Sequence, residues 1–97
     1  MVKHIVLWTL KEEEKGNIDA IAADLSQKFK ALLGVVDGLT AIELGKDYKG
    51  NDYNLALYCE FTDRDAEAAY QTHPAHVAIK KIVGTLTCGR AAADYEV

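Results

Sequence analysis

Proline is nearly missing from this chain, with one in 97 residues, and cysteine is scarce, with two. Cys59 and Cys88 lack C-x-x-C spacing and each falls in a stretch that reads as a strand. A disulfide framework or a thiolate metal site is therefore not expected, and both are read as ordinary reduced thiols. No apolar run approaches the roughly 20 residues of a membrane span, and Ile5-Val6-Leu7-Trp8 is too short for a signal-peptide core. A cytoplasmic protein without membrane contact is the expectation. Positive charge is short as well: 11 Lys and Arg against 15 Asp and Glu leave a net charge of −4. A nucleic-acid backbone finds little to bind in such a surface. There is no glycine-rich phosphate loop either, which argues against nucleotide ligands. With no repeat, linker or low-complexity stretch, residues 1–97 read as one domain with a small core.

What is present is periodicity. Val2 to Leu10 is rich in β-branched and aromatic residues and reads as a strand, with His4, Val6 and Trp8 on one face and Ile5 and Leu7 on the other. The charge run Lys11 to Gly16 reads as a solvated connection, and Asn17 as the N-cap of a helix. Ile18, Ile21, Ala22, Leu25, Phe29, Leu32 and Leu33 recur at helical steps before Gly34 stops them. Leu39 to Lys46 and Asn54 to Thr62 read as a strand pair around the turn residues Asp47 to Asp52. Asp63 caps a helix through Tyr70 that Pro74 breaks, and a second helical segment runs from Pro74 to about Gly84. Thr87 to Glu96 closes the chain as a strand, with Arg90, Ala92 and Asp94 on one face. The order β-α-β-β-α-β predicts an α+β, ferredoxin-like fold.

Two helices cover one face of a four-stranded sheet, yet Ile5, Leu7, Ala56, Tyr58, Ala91 and Ala93 are assigned by alternation to the other. An apolar face of that extent needs a cover, and a second copy of the chain is the economical one. A homodimer joined sheet to sheet is the expectation.

Two of the three histidines flank the proline, in His73-Pro74-Ala75-His76. His73 reads as a turn or cap residue. A metal site of His73, His76 and His4 lacks any carboxylate at a supporting spacing, so no metal is expected. Arg90 lies on the strand face that approaches any cavity under the helices and is a candidate for a substrate carboxylate. Pairing with Asp94 or Glu60, or snorkelling to solvent, is its structural alternative.

The opening Val2-Lys3-His4-Ile5-Val6-Leu7, the strand end Gly45-Lys46-Asp47, the His73-Pro74-Ala75-His76 turn and the close Asp94-Tyr95-Glu96-Val97 resemble, in that order, the stress-responsive A/B barrel (Dabb) domain. The resemblance implies a dimeric α+β barrel over nearly the whole chain. It also implies chemistry of the kind carried out by a plant polyketide cyclase of that family, an intramolecular aldol condensation without cofactor or metal. The cyclase's catalytic tyrosine and histidine match Tyr70 and His76, and its first-strand histidine matches His4. In that scheme the imidazole takes a proton from a carbon between two carbonyls while the phenol hydrogen-bonds the developing oxyanion. Phe29 and Leu55 stand where the cyclase has a tyrosine and a histidine, and Trp8 adds bulk, so the same substrate is not implied.

Three functions stay open. One is a cofactor-free enzyme or binding protein for a small apolar or phenolic ligand, its cavity lined by His4, Val6, Trp8, Phe29, Leu57, Tyr70 and His76. Another is a non-enzymatic stress-associated dimer with a filled core, in which Tyr70 and His76 only brace the helix break. A monooxygenase-like dimeric barrel is the third. The enzymatic reading is tied to a solvent-reachable cavity that contains both Tyr70 and His76.

Overall fold

In the computed structural model, which describes residues 1–97, the alternation of the opening segment becomes β1 (Val2–Leu10). Val2, His4, Val6, Trp8 and Leu10 are buried on one side, and Lys3, Ile5, Leu7 and Thr9 are half-buried on the other. The remaining elements are α1 (Ile18–Lys30), β2 (Leu39–Lys46), β3 (Leu55–Phe61), α2 (Arg64–Thr72), α3 (Pro74–Leu86) and β4 (Thr87–Glu96). The strands form one antiparallel sheet in the order β2-β3-β1-β4. This is the ferredoxin-like α+β fold predicted from the element order. No helix is long and apolar enough to cross a membrane.

Three local features differ from the sequence reading. The charge run is not open connection but a 3-10 turn, Glu12–Asn17, none of whose residues is buried. Asn17 occupies the N-cap position of α1, yet its side chain makes no capping bond. The helical turn before it already holds the Ile18 amide, which donates to the Lys15 carbonyl. The first helix also ends at Lys30 rather than Leu33, because its last turn tightens into the bonds Leu32 N to Phe29 O (3.0 Å) and Leu33 N to Lys30 O (3.1 Å). Leu33 is left exposed.

The register tests the assignment of sheet faces. Leu7 sits between Ala56 and Ala91, and Ile5 between Tyr58 and Ala93, so the six residues predicted to share the outer face do so in two adjacent rows. On the inner side Trp8 lies between Leu55 and Arg90, Val6 between Leu57 and Ala92, and His4 between Cys59 and Asp94. Helix α1 packs along β2, whereas β4 has little helix above it. Arg90, Ala92 and Asp94 consequently stay exposed on the helix side. Gly38, at φ 81°, lets the chain enter β2 against α2, where a Cβ would stand 2.4 Å from that of Ala66.

Candidate functional site

The gap beside β4 is a cavity of about 330 Å³. Val6, Trp8 and Leu57 from the sheet, Phe29 from α1 and Val83 from α3 supply its apolar walls, with the Trp8 and Phe29 rings stacked at 6.1 Å. His4, Gln71, His76, Lys80, Thr87, Cys88 and Arg90 supply its polar lining. The site candidates His4, Val6, Trp8, Phe29, Leu57, His76 and Arg90 are thus brought together. Tyr70 is not among the lining residues, so the enzymatic reading that required Tyr70 and His76 together in one cavity fails, and any proton chemistry in this cavity has to rest on His4 and His76 instead.

The helix break explains the positions of both Tyr70 and His76. In a continuous helix the Tyr70 carbonyl would accept from the amide of residue 74, and proline has none. The His73 amide reaches that carbonyl at 3.2 Å, and the His76 ring covers it with Nδ1 at 2.9 Å. Facing a carbonyl, Nδ1 carries the proton, and the lone pair is left on Nε2. His73 reaches the other end of the break, accepting from the Ala75 amide at 3.1 Å as the N-cap of α3. The rings of Tyr70 and His76 stack with centroids 3.8 Å apart.

Tyr70 lies beneath this stack with no exposed surface, and its hydroxyl is the sole buried side-chain polar atom without a hydrogen-bond partner. It faces Cys59, and burial first, then that thiol, pushes its pKa far above the ordinary phenol value. Cys59 is pushed up to about 12, chiefly by burial, and is an inert thiol. The expectation that Tyr70 offers its hydroxyl to a cavity ligand is corrected here: the ring is the floor under His76. Tyr70→Phe is therefore expected to leave ligand binding unchanged and to hold or raise stability, since it removes an orphaned polar group worth about 1–3 kcal/mol. Urea unfolding checks this, and a clear loss of stability would mean that the hydroxyl has a partner.

His76 is 5% exposed, and burial lowers its pKa to about 4, with the charge of Lys80 and the neighbouring His4 adding to the effect. The bond to the Tyr70 carbonyl opposes the shift without cancelling it. The ring is neutral at pH 7. His4 is equally buried but differently anchored: its Nδ1 is paired with the carboxylate of Asp94, which lies opposite it on β4. That pairing also fixes the His4 tautomer and leaves Nε2 as the accepting atom. The Tyr70 hydroxyl is the one sealed unpartnered atom, so each Nε2 keeps some solvent access, and both rings line the cavity.

Carboxylates do come close to a histidine, though not to the pair the sequence singles out. Ligand atoms of His4, Glu67 and Asp94 lie within 4.8 Å of one another, which is a donor set a divalent cation accepts. Each of these groups already has a partner without a metal: Asp94 is paired with His4, and Glu67 accepts from the Gln71 amide at 2.6 Å. Arg90, opposite Trp8, has neither of its expected partners. Asp94 is engaged by His4, and Glu60 pairs in register with Lys3 on the other face of the sheet.

Sequence reasoning missed Asp94, Gln71 and Lys80 as members of the site. Lys80 carried a readable signal, since it stands four residues after His76 on one helix face. Asp94 requires the β1–β4 register, which spans 90 residues.

This architecture recurs in solved structures. A dimeric ferredoxin-like protein from Bacteroides fragilis is 35% identical over 99% of this chain and 95% of its own, with a TM-score of 0.88. A protein from Arabidopsis thaliana is 25% identical over 100% of this chain and 95% of its own, with a TM-score of 0.82. An antibiotic biosynthesis monooxygenase shares the fold alone, at 15% identity over 100% of this chain and 98% of its own and a TM-score of 0.74. No curated protein matches the sequence. The family profile of the stress responsive A/B barrel domain matches residues 2–97, which takes in all four strands, both histidines of the cavity and the helix break, and the chain belongs to that family.

Proposed function

We propose that the chain is a homodimeric small-molecule protein whose cavity performs cofactor-free proton transfer on a carbonyl or phenol ligand. One observation carries the reading: two buried imidazoles, each tied through Nδ1 to an oxygen, leave Nε2 free in one largely apolar cavity. The roles divide by environment. His4 takes the proton, because the Asp94 carboxylate behind it stabilises the imidazolium that forms. His76, held neutral by burial, accepts a hydrogen bond from a ligand hydroxyl and orients it. Tyr70 acts by holding His76 in place. The homodimer is supported by the apolar outer rows of the sheet and by the dimeric relative from Bacteroides fragilis.

A bracing role for Tyr70 and His76 in a non-enzymatic dimer is favoured by the bond across the helix break. It gives the His4–Asp94 pair only a cross-strand bracing role and does not fill the cavity. Deuterium exchange at the carbon between the carbonyls of ethyl acetoacetate, followed by NMR above the buffer rate, separates the two readings. Exchange catalysed by the wild type should fall roughly 10²-fold in His4→Ala, the usual cost of losing a positioned base. Binding without any catalysed exchange leaves a binding protein. Exchange that survives intact in His4→Ala refutes the assignment of His4.

A further inference from the structure

The cavity is the wrong sign for its protein. Fifteen acidic residues outnumber 11 basic ones across the chain, yet none of the cavity's lining residues is acidic and two are cations, Lys80 and Arg90. They come from opposite walls, Lys80 from α3 and Arg90 from β4, and both are exposed at their tips.

Neither is used by the fold. Lys80 and Arg90 make no ion pair, which they share with most of the basic residues, but they are the two that line the cavity. Arg90 makes no hydrogen bond, and the Lys80 ammonium touches only the Gln71 carbonyl at 3.5 Å, at the limit of such a bond. The nearest acid on the strand face of Arg90 is Asp94, which is committed to His4. Two exposed cations without ion-pair partners at the lining of one apolar cavity favour an anion there.

We infer that the cavity takes a small organic monocarboxylate, its apolar body against Trp8, Phe29 and Val83 and its carboxylate held between Arg90 and Lys80. This rests on the cavity reading above and narrows it. A guanidinium fork matches a carboxylate in two parallel hydrogen bonds, and an ammonium adds a mobile third donor. A phosphate ester is disfavoured by the same walls, because no glycine-rich loop lines the cavity and its two cations are single side chains from different elements. Binding oriented in this way directs the far end of the ligand towards His4 and His76.

The test uses a matched pair, 4-hydroxyphenylacetate and its neutral amide, by calorimetric titration of the dimer. The acid should bind the wild type at least roughly tenfold more tightly than the amide, a difference of about 1.4 kcal/mol. In the double variant Arg90→Gln, Lys80→Gln the preference should vanish while the affinity for the amide stays unchanged. Both side chains are exposed, and an unaltered melting temperature confirms that the variant is folded. Equal binding of acid and amide to the wild type overturns the carboxylate class and leaves the cavity reading standing. An acid preference that persists in the double variant overturns the assignment to Arg90 and Lys80. Failure of both probes at millimolar concentration overturns the inference and the cavity reading together.

Discussion

Leu7→Glu is expected to give a monomer, or no folded protein, where the wild type is a dimer at micromolar concentration. Leu7 lies at the centre of the outer sheet face, flanked in register by Ala56 and Ala91, with Ile5, Tyr58 and Ala93 in the next row. In the isolated chain this face is half-buried to exposed, and no element of the fold covers it. A two-fold interface repeats every loss, so one substitution removes two leucines, each worth about 1.5–3 kcal/mol of burial. It also brings two unpaired carboxylates into a dry contact, at a further cost of several kcal/mol. Light scattering reads the outcome directly. A stable Leu7→Glu dimer would place the interface elsewhere.

Lowering the pH from 7 to about 4 is expected to remove on the order of 3 kcal/mol of stability through His76 alone. The folded protein holds this imidazole at about 4, below its ordinary value of 6.5, because burial disfavours the cation and Lys80 and His4 crowd it further. The unfolded chain therefore takes up a proton first as the pH falls through 6.5, and the folded state cannot match it until about pH 4. Stability from this group is complete above the unfolded value and is lost across that window. Urea unfolding of the wild type and His76→Gln at several pH values isolates the term. The variant should show a shallower slope between pH 4 and 6.5, and identical slopes would mean that His76 ionises freely in the folded protein.

The fold was readable because its signals are local. Alternation in β1 and β3, the cap at Asp63, whose carboxylate accepts from the Ala66 amide at 2.8 Å, and the lone proline each act within a few residues. The excess apolar face was readable too, since period-2 alternation assigns Ile5 and Leu7 to one side without knowledge of their neighbours. The site was only half legible. Histidine and tyrosine types were visible, but which way a ring faces is decided by packing: Tyr70 is polar at its tip, and the sequence cannot say whether that tip meets a cavity or, as here, Cys59. The partner of His4 was hidden for a different reason, because Asp94 becomes its neighbour only when the first and last strands pair. Arg90 was placed on the correct face, yet its freedom from an ion pair depended on that same hidden partnership.

The two imidazoles differ in how easily evolution or an experimenter can retune them. The proton on His4 is positioned by a side chain, so a single replacement of Asp94 alters its tautomer, its basicity, or both. The proton on His76 is positioned by a main-chain carbonyl that is open to it because Pro74 has no amide hydrogen to give. No substitution at residue 70 takes that acceptor away. Only a change of backbone does, and Pro74→Ala, by restoring a competing donor, is the one-residue route to it. One nitrogen of the cavity is therefore adjustable by point mutation while the other is inherited with the shape of the chain, so new specificities in this scaffold have their shortest path through β4.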